Sequence, residues 1–156
     1  MTAAFFRGKR RRAAAAAGAV TFGLLALSAC DKPTPLATVT VGSTTVTAEA
    51  ACYDEGKDLG EAALDKCVKE GSPKTIKVKP GDKVRVGVEP KIADSGWIVL
   101  TSGPQQRSNQ SKQTYVSLDG QRLFVNQSGT QIEDSTVLTV LTKDGVWNVK
   151  LELDKG

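Results

Sequence analysis

The sequence predicts an all-β domain, an antiparallel β-sandwich with one short helix. Three observations carry this expectation. Short runs alternating apolar with polar residues fill most of the chain after residue 36, the period of half-buried strands. Turn residues (Gly42-Ser43, Pro80-Gly81-Asp82, Asp119-Gly120 and Lys143-Asp144-Gly145) punctuate those runs. Only residues 57–69 carry a helical period. Eight or nine short strands at regular spacing fit a sandwich.

Taken in order, Ala37-Thr38-Val39-Thr40-Val41 and Thr44-Thr45-Val46-Thr47 flank Gly42-Ser43 and read as a hairpin. Leu59, Ala62, Ala63, Leu64, Cys67 and Val68 then recur at helical spacing, ended by Gly71-Ser72-Pro73. Strands resume at residues 75–79 and 83–88, either side of the Pro80-Gly81-Asp82 turn. Gly96-Trp97-Ile98-Val99-Leu100 is a continuous apolar run suited to a buried strand. Residues 101–112 are polar and read as a long surface loop. Residues 114–118 and 122–125 read as strands around Asp119-Gly120. Residues 136–141 and 146–153 form the clearest hairpin, because an Asp-Gly turn joins two β-rich runs. Trp97 and Trp147 lie inside apolar runs and are expected in the core rather than on a binding platform.

The formal charge of +4 belongs to the amino-terminal segment. Arg7, Lys9, Arg10, Arg11 and Arg12 are the only charged groups before Cys30, leaving 16 basic against 17 acidic residues from Cys30 on. The remainder is near neutral, which removes the electrostatic case for a nucleic-acid partner. After the basic residues, residues 13–29 are uncharged, with an apolar centre at Phe22-Gly23-Leu24-Leu25-Ala26-Leu27. That order is a secretory signal. A retained spanning helix is the alternative, but the run is short and rich in Ala and Gly.

Leu27-Ser28-Ala29-Cys30 resembles the bacterial lipobox. The resemblance implies cleavage between Ala29 and Cys30, a diacylglyceryl group on the Cys30 sulfur, and anchoring on the outer face of the cytoplasmic membrane. Two acyl chains suffice for stable anchoring. Paired arginines lie in Arg10-Arg11-Arg12, without the continuation of a twin-arginine signal, so the general secretory route is favoured. The alanine-rich signal and the start Cys30-Asp31-Lys32-Pro33-Thr34-Pro35-Leu36 are similar to small secreted lipoproteins of actinobacteria, of the Streptomyces type, with an uncharacterised domain. That similarity implies a location and no activity. Residues 75–97, where a Pro-Gly-Asp turn precedes an alternating strand, resemble immunoglobulin-like and cupredoxin-like domains, the latter without metal. The expected organisation is a signal peptide over 1–29, a lipidated start and short tether over 30–36, and a sandwich over 37–156.

With Cys30 taken by lipid, Cys52 and Cys67 remain, 15 positions apart. In an exported chain a structural disulfide is favoured over free thiols. A thiol–disulfide activity is a further reading, although no C-x-x-C spacing supports it.

No histidine is present, and the one methionine is Met1. Copper sites of the cupredoxin kind, histidine-dependent triads and the usual catalytic zinc sites lack their ligands or bases. No metal or cofactor is expected beyond the covalent lipid on Cys30. Two enzymatic readings need no histidine. One is a Ser–Lys pair, for which only Ser108, Ser111 and Lys112 lie close in sequence. The other is carboxylate chemistry, which would require Asp54, Glu55, Glu133 or Asp134 to converge in a cleft.

The favoured expectation is a non-catalytic binding or interaction module of the cell envelope, held beside the membrane through its lipid anchor. An envelope protein or a wall polymer is the expected partner. The candidate contact loop comprises Gln105, Gln106, Arg107, Asn109 and Lys112, with Tyr115 beside it. Residues 54–60 form a second candidate loop.

Overall fold

The computed structural model describes residues 33–101, 109–126, 128 and 130–156. Residues 1–29, expected as a signal peptide, lie outside the described residues, as do Cys30, Gln105, Gln106 and Arg107. The compact unit Thr34–Gly156 holds every element below.

Among the described residues, nine strands form two sheets, as expected for a sandwich. The first sheet has the order β2-β1-β5-β7, built from β1 (Ala37–Val41), β2 (Thr44–Ala48), β5 (Lys83–Val88) and β7 (Tyr115–Asp119). The second contains β3 (Cys52–Tyr53), β4 (Thr75–Val78), β6 (Ile98–Leu100), β8 (Ser135–Leu141) and β9 (Gly145–Leu153). β9 is its hub. β8 pairs along one side of it, while β3 and β4 share the other side near its start and its end. The pairing of β4 with β9 is parallel, and the other strand pairings are antiparallel.

Alternation decides which face each residue covers. Val39, Val41, Val84 and Val86 from the first sheet meet Leu138, Val140, Trp147, Val149 and Leu151 from the second in one core. Trp97 and Trp147 are each 1% exposed, so both are core residues. Pro80-Gly81 is a turn as expected, with Gly81 at φ 89°. The strands it joins do not pair with each other: β4 lies on β9, and β5 lies between β1 and β7.

Helix α1 spans Glu61–Lys69 and α2 spans Pro90–Ser95. The helical period was expected from residue 57. The chain enters α1 only after Gly56 and Gly60, both at positive φ, a conformation incompatible with helix continuation. Residues 122–125, expected as a strand, form instead a 3-10 turn over Gln121–Phe124. Leu123 and Phe124 are adjacent and both buried, whereas a strand would send them to opposite faces.

α1 lies on the outer face of the second sheet, held there by two devices. One is the Cys52–Cys67 disulfide, with 6.0 Å between the Cα atoms. The other is Asn148 on β9. Its Nδ2 donates to the carbonyls of Cys67 at 2.9 Å and Gly71 at 3.2 Å, and its Oδ1 accepts from the Thr139 hydroxyl at 2.8 Å. The side chain satisfies carbonyls at and beyond the end of the helix. An Asn148→Ala variant is expected to lose about 1–3 kcal/mol, the cost of stranding buried polar groups. Urea denaturation measures that loss, and faster amide exchange confined to α1 would place it.

Strand directions gather one set of loops at one end. The starts of β1, β6, β7 and β9 and the ends of β2, β5 and β8 all lie there. The chain also enters at this end, and the entry is fastened. Trp147 Nε1 donates to the Pro35 carbonyl at 2.7 Å. The Glu89 amide donates to the Leu36 carbonyl at 3.1 Å. The entry segment is thus bonded to the domain from Pro35 onward.

Candidate functional site

Two loops expected from different parts of the sequence meet at the entry end. Residues 54–60 pack on the β8–β9 turn: the Asp54 amide donates to the Asp144 carbonyl at 2.9 Å, and the Leu59 amide donates to the Lys143 carbonyl at 3.1 Å. The returning end of the 101–112 loop is fixed by Trp97 and Ser111, whose backbones exchange hydrogen bonds of 2.9 and 2.8 Å. Trp97 Nε1 also donates to the Gln113 carbonyl at 2.8 Å. Asn109, Lys112 and Tyr115 are thereby placed at this end, and all three are exposed.

Between α1, β6, the 109–110 segment and the β8–β9 turn lies an open hollow of about 470 Å³. Its aliphatic lining is Leu64 from α1, Ile98 from β6 and Leu141 from β8; Asn109, Gln110, Thr142 and Lys143 supply polar groups. Ile98 and Leu141 are direct partners in the β6–β8 register. Their neighbours Trp97, Val99 and Val140 point into the core, so alternation turns Ile98 and Leu141 outward. Gly96, at φ 73°, is also in the lining, and a Cβ there would press on the Gln110 side chain.

Asp144 organises this end, a role its place in the Lys143-Asp144-Gly145 turn did not announce. The residue is 2% exposed. Its Oδ1 accepts from the Thr142 hydroxyl at 2.7 Å; its Oδ2 accepts from the Gly56 amide at 3.1 Å and the Ser95 hydroxyl at 3.4 Å. One carboxylate thus ties the β8–β9 turn, the 54–60 loop and α2 together. An Asp144→Ala variant removes this acceptor from the Gly56 amide and the Ser95 hydroxyl, while the Thr142 hydroxyl keeps the Gly145 carbonyl at 3.3 Å. We expect a loss of about 1–3 kcal/mol, with faster hydrogen exchange at the Gly56 amide. An unchanged Gly56 rate would mean that the loop is held by its backbone bonds alone.

The four acids considered for carboxylate chemistry do not converge. Asp54 and Glu55 lie at the start of β9, paired with Lys57 at 3.3 Å and Lys91 at 3.0 Å. Asp134 lies at the other end of β9, where its carbonyl accepts from the Leu153 amide at 2.8 Å and its carboxylate pairs with Lys155 at 2.6 Å. Glu133 adjoins it, its amide donating to the Phe124 carbonyl. A nine-residue strand separates the two pairs by roughly 25 Å. Glycoside chemistry requires a carboxylate pair within about 10 Å. Ser111 Oγ accepts from the Gln113 amide at 3.1 Å, and Ser108 lies outside the described residues.

Among the described residues, two carboxylates are displaced from their ordinary values. A hydrogen bond from Lys83 holds Asp119 below its usual range, and Lys150 does the same for Glu152. The Lys83–Asp119 pair is exposed and the Lys150–Glu152 pair half-buried, and both lie near the far end of the sandwich, so they tune charge away from the hollow. Among the described residues no cluster of three or more metal-ligating side chains forms, and no helix is long and apolar enough to cross a membrane.

Compared with known proteins, the chain matches no family model, no curated protein and no solved structure.

Proposed function

We propose that the chain is a lipoprotein, cut before Cys30 and held by lipid on the outer face of the cytoplasmic membrane, and that its domain is a non-catalytic binding module of the cell envelope. The observation that carries this reading is the hollow between α1, β6 and the β8–β9 turn. Its aliphatic floor and amide rim suit the burial of a partner's surface. The buried carboxylate next in the chain to its rim, Asp144, is engaged by three neutral donors, an arrangement that fixes loops. Catalysis by paired carboxylates is disfavoured by their separation along β9.

Photo-crosslinking in native cells tests the reading, with the probe at Asn109 and mass spectrometry of the membrane fraction. One discrete protein adduct, lost on competition with unlabelled domain, is the expected result. Correct anchoring with no protein adduct would point to a wall polymer or a small ligand and would overturn the protein-binding reading. A Cys30→Ser chain is expected in the soluble fraction.

A further inference from the structure

The chain enters the sandwich at the same end that carries the hollow, the 54–60 loop and exposed Tyr115. Only residues 31–34 separate Cys30 from Pro35, and Pro35 is already buried with its carbonyl bonded to Trp147. The five steps from Cys30 to Pro35, fully extended, span at most about 18 Å. This argument rests on the lipid anchor proposed above. Given that anchor, the candidate contact end cannot turn far from the bilayer, and any partner it grips lies within that distance of the lipid surface.

The charge of this end separates two occupants. A face that docks on anionic lipid carries a cluster of lysines and arginines. Here the exposed lysines among the described residues are Lys57, Lys91, Lys112 and Lys143. Lys57 and Lys91 are already paired with Asp54 and Glu55, and Asp58, Glu89 and Asp94 add further exposed acid. Mixed charge of this kind is neutral toward lipid headgroups but provides register against a protein surface. Tyr115, 48% exposed at the start of an edge strand, adds the amphipathic aromatic typical of protein contacts.

The geometry points to a protein embedded in the same membrane as the partner of this end, gripped through the hollow and Tyr115 at the height of the lipid surface.

The test uses the full chain in its native cells, with photo-crosslinkers at Asn109, Lys143 and Tyr115 and a control at Ser43, which turns at the opposite end. A fatty-acid label reports the anchor independently. A second chain carries about 20 Gly/Ser residues inserted after Asp31, which lowers the effective concentration of the contact end at the membrane. The expected result is a labelled chain with one integral membrane protein crosslinked from the three entry-end positions. Their yield should exceed that at Ser43 about tenfold and fall severalfold in the lengthened chain. Phospholipid adducts alone would make this end a lipid-facing surface and overturn the protein partner while leaving the anchor intact. A protein adduct from Ser43 in place of the entry end would overturn the proposed orientation. Absence of fatty-acid label would remove the anchor and this inference with it.

Discussion

A Trp147→Ala chain is expected to lose about 3–5 kcal/mol, the range for deleting a fully buried aromatic from a core. Small domains have total stabilities of about 5–15 kcal/mol, so the variant should be close to unfolding at room temperature. Three contributions are lost together. The indole fills the space between the sheets at 1% exposure. Its ring meets Tyr53 in a tilted pair, with centroids 5.9 Å apart and planes at 53°, a geometry favoured by the ring quadrupoles. Its Nε1–H is the donor to Pro35. Trp147→Phe separates these effects, because it keeps a ring and drops the donor. That variant should remain folded, lose about 1–3 kcal/mol, and expose residues 33–36 to protease. If the entry strand stays resistant in Trp147→Phe, the Leu36–Glu89 bond alone fastens it.

The second large effect concerns the disulfide. It joins Cys52 to Cys67, 15 positions apart, which constrains the unfolded chain by about 3 kcal/mol. A Cys52→Ser/Cys67→Ser chain and the wild-type chain under reductant should both show that loss in urea denaturation. Cys67 is buried at 2% exposure, so reduction should be slow until the domain opens. This predicts sensitivity to reductant that rises steeply near the urea midpoint. Rapid reduction of the native domain would instead support a thiol–disulfide activity. A loss below about 1 kcal/mol would mean that Asn148 and Asp144 hold α1 and its loop without help from the covalent link, since hydrogen bonds of this kind are individually worth about that much.

Where the fold was legible in the sequence, the signal was local. The alternation of residues 37–41, 75–78 and 83–88, and the Asp-Gly hairpin of β8 and β9, follow from side-chain period and turn chemistry. The misreadings also have local causes. α2 is six residues long, too short to show a period, although Pro90 at its start is a recognisable opening. Leu123-Phe124-Val125 has strand composition, yet the packing of two adjacent buried side chains selects a 3-10 turn. β3 is two residues long and exists because Cys52 and Tyr53 sit against the start of β9.

Topology was not legible. Neither the division of β4 and β5 between two sheets nor the parallel pairing of β4 with β9 follows from the Pro80-Gly81 turn. For the site, the 54–60 loop, Asn109, Lys112 and Tyr115 were visible as candidates from polarity. Their meeting at one end was not, because it depends on strand direction through the whole domain. Asp144 looked like a turn residue, since nothing local marks its bonds to Gly56, 88 positions away, and Ser95, 49 positions away.

The place of β9 sets the order in which this domain can be built. It is the last of the described strands, yet β3, β4 and β8 all pair with it, and Asn148 and Trp147 on it secure α1 and the entry segment. A polypeptide emerging from its amino terminus, from a ribosome or through a membrane channel, can close the β1–β2 hairpin early. Its second sheet has no centre until residues 145–153 arrive. Partners separated by so much sequence fold slowly, so the chain stays open for most of its synthesis.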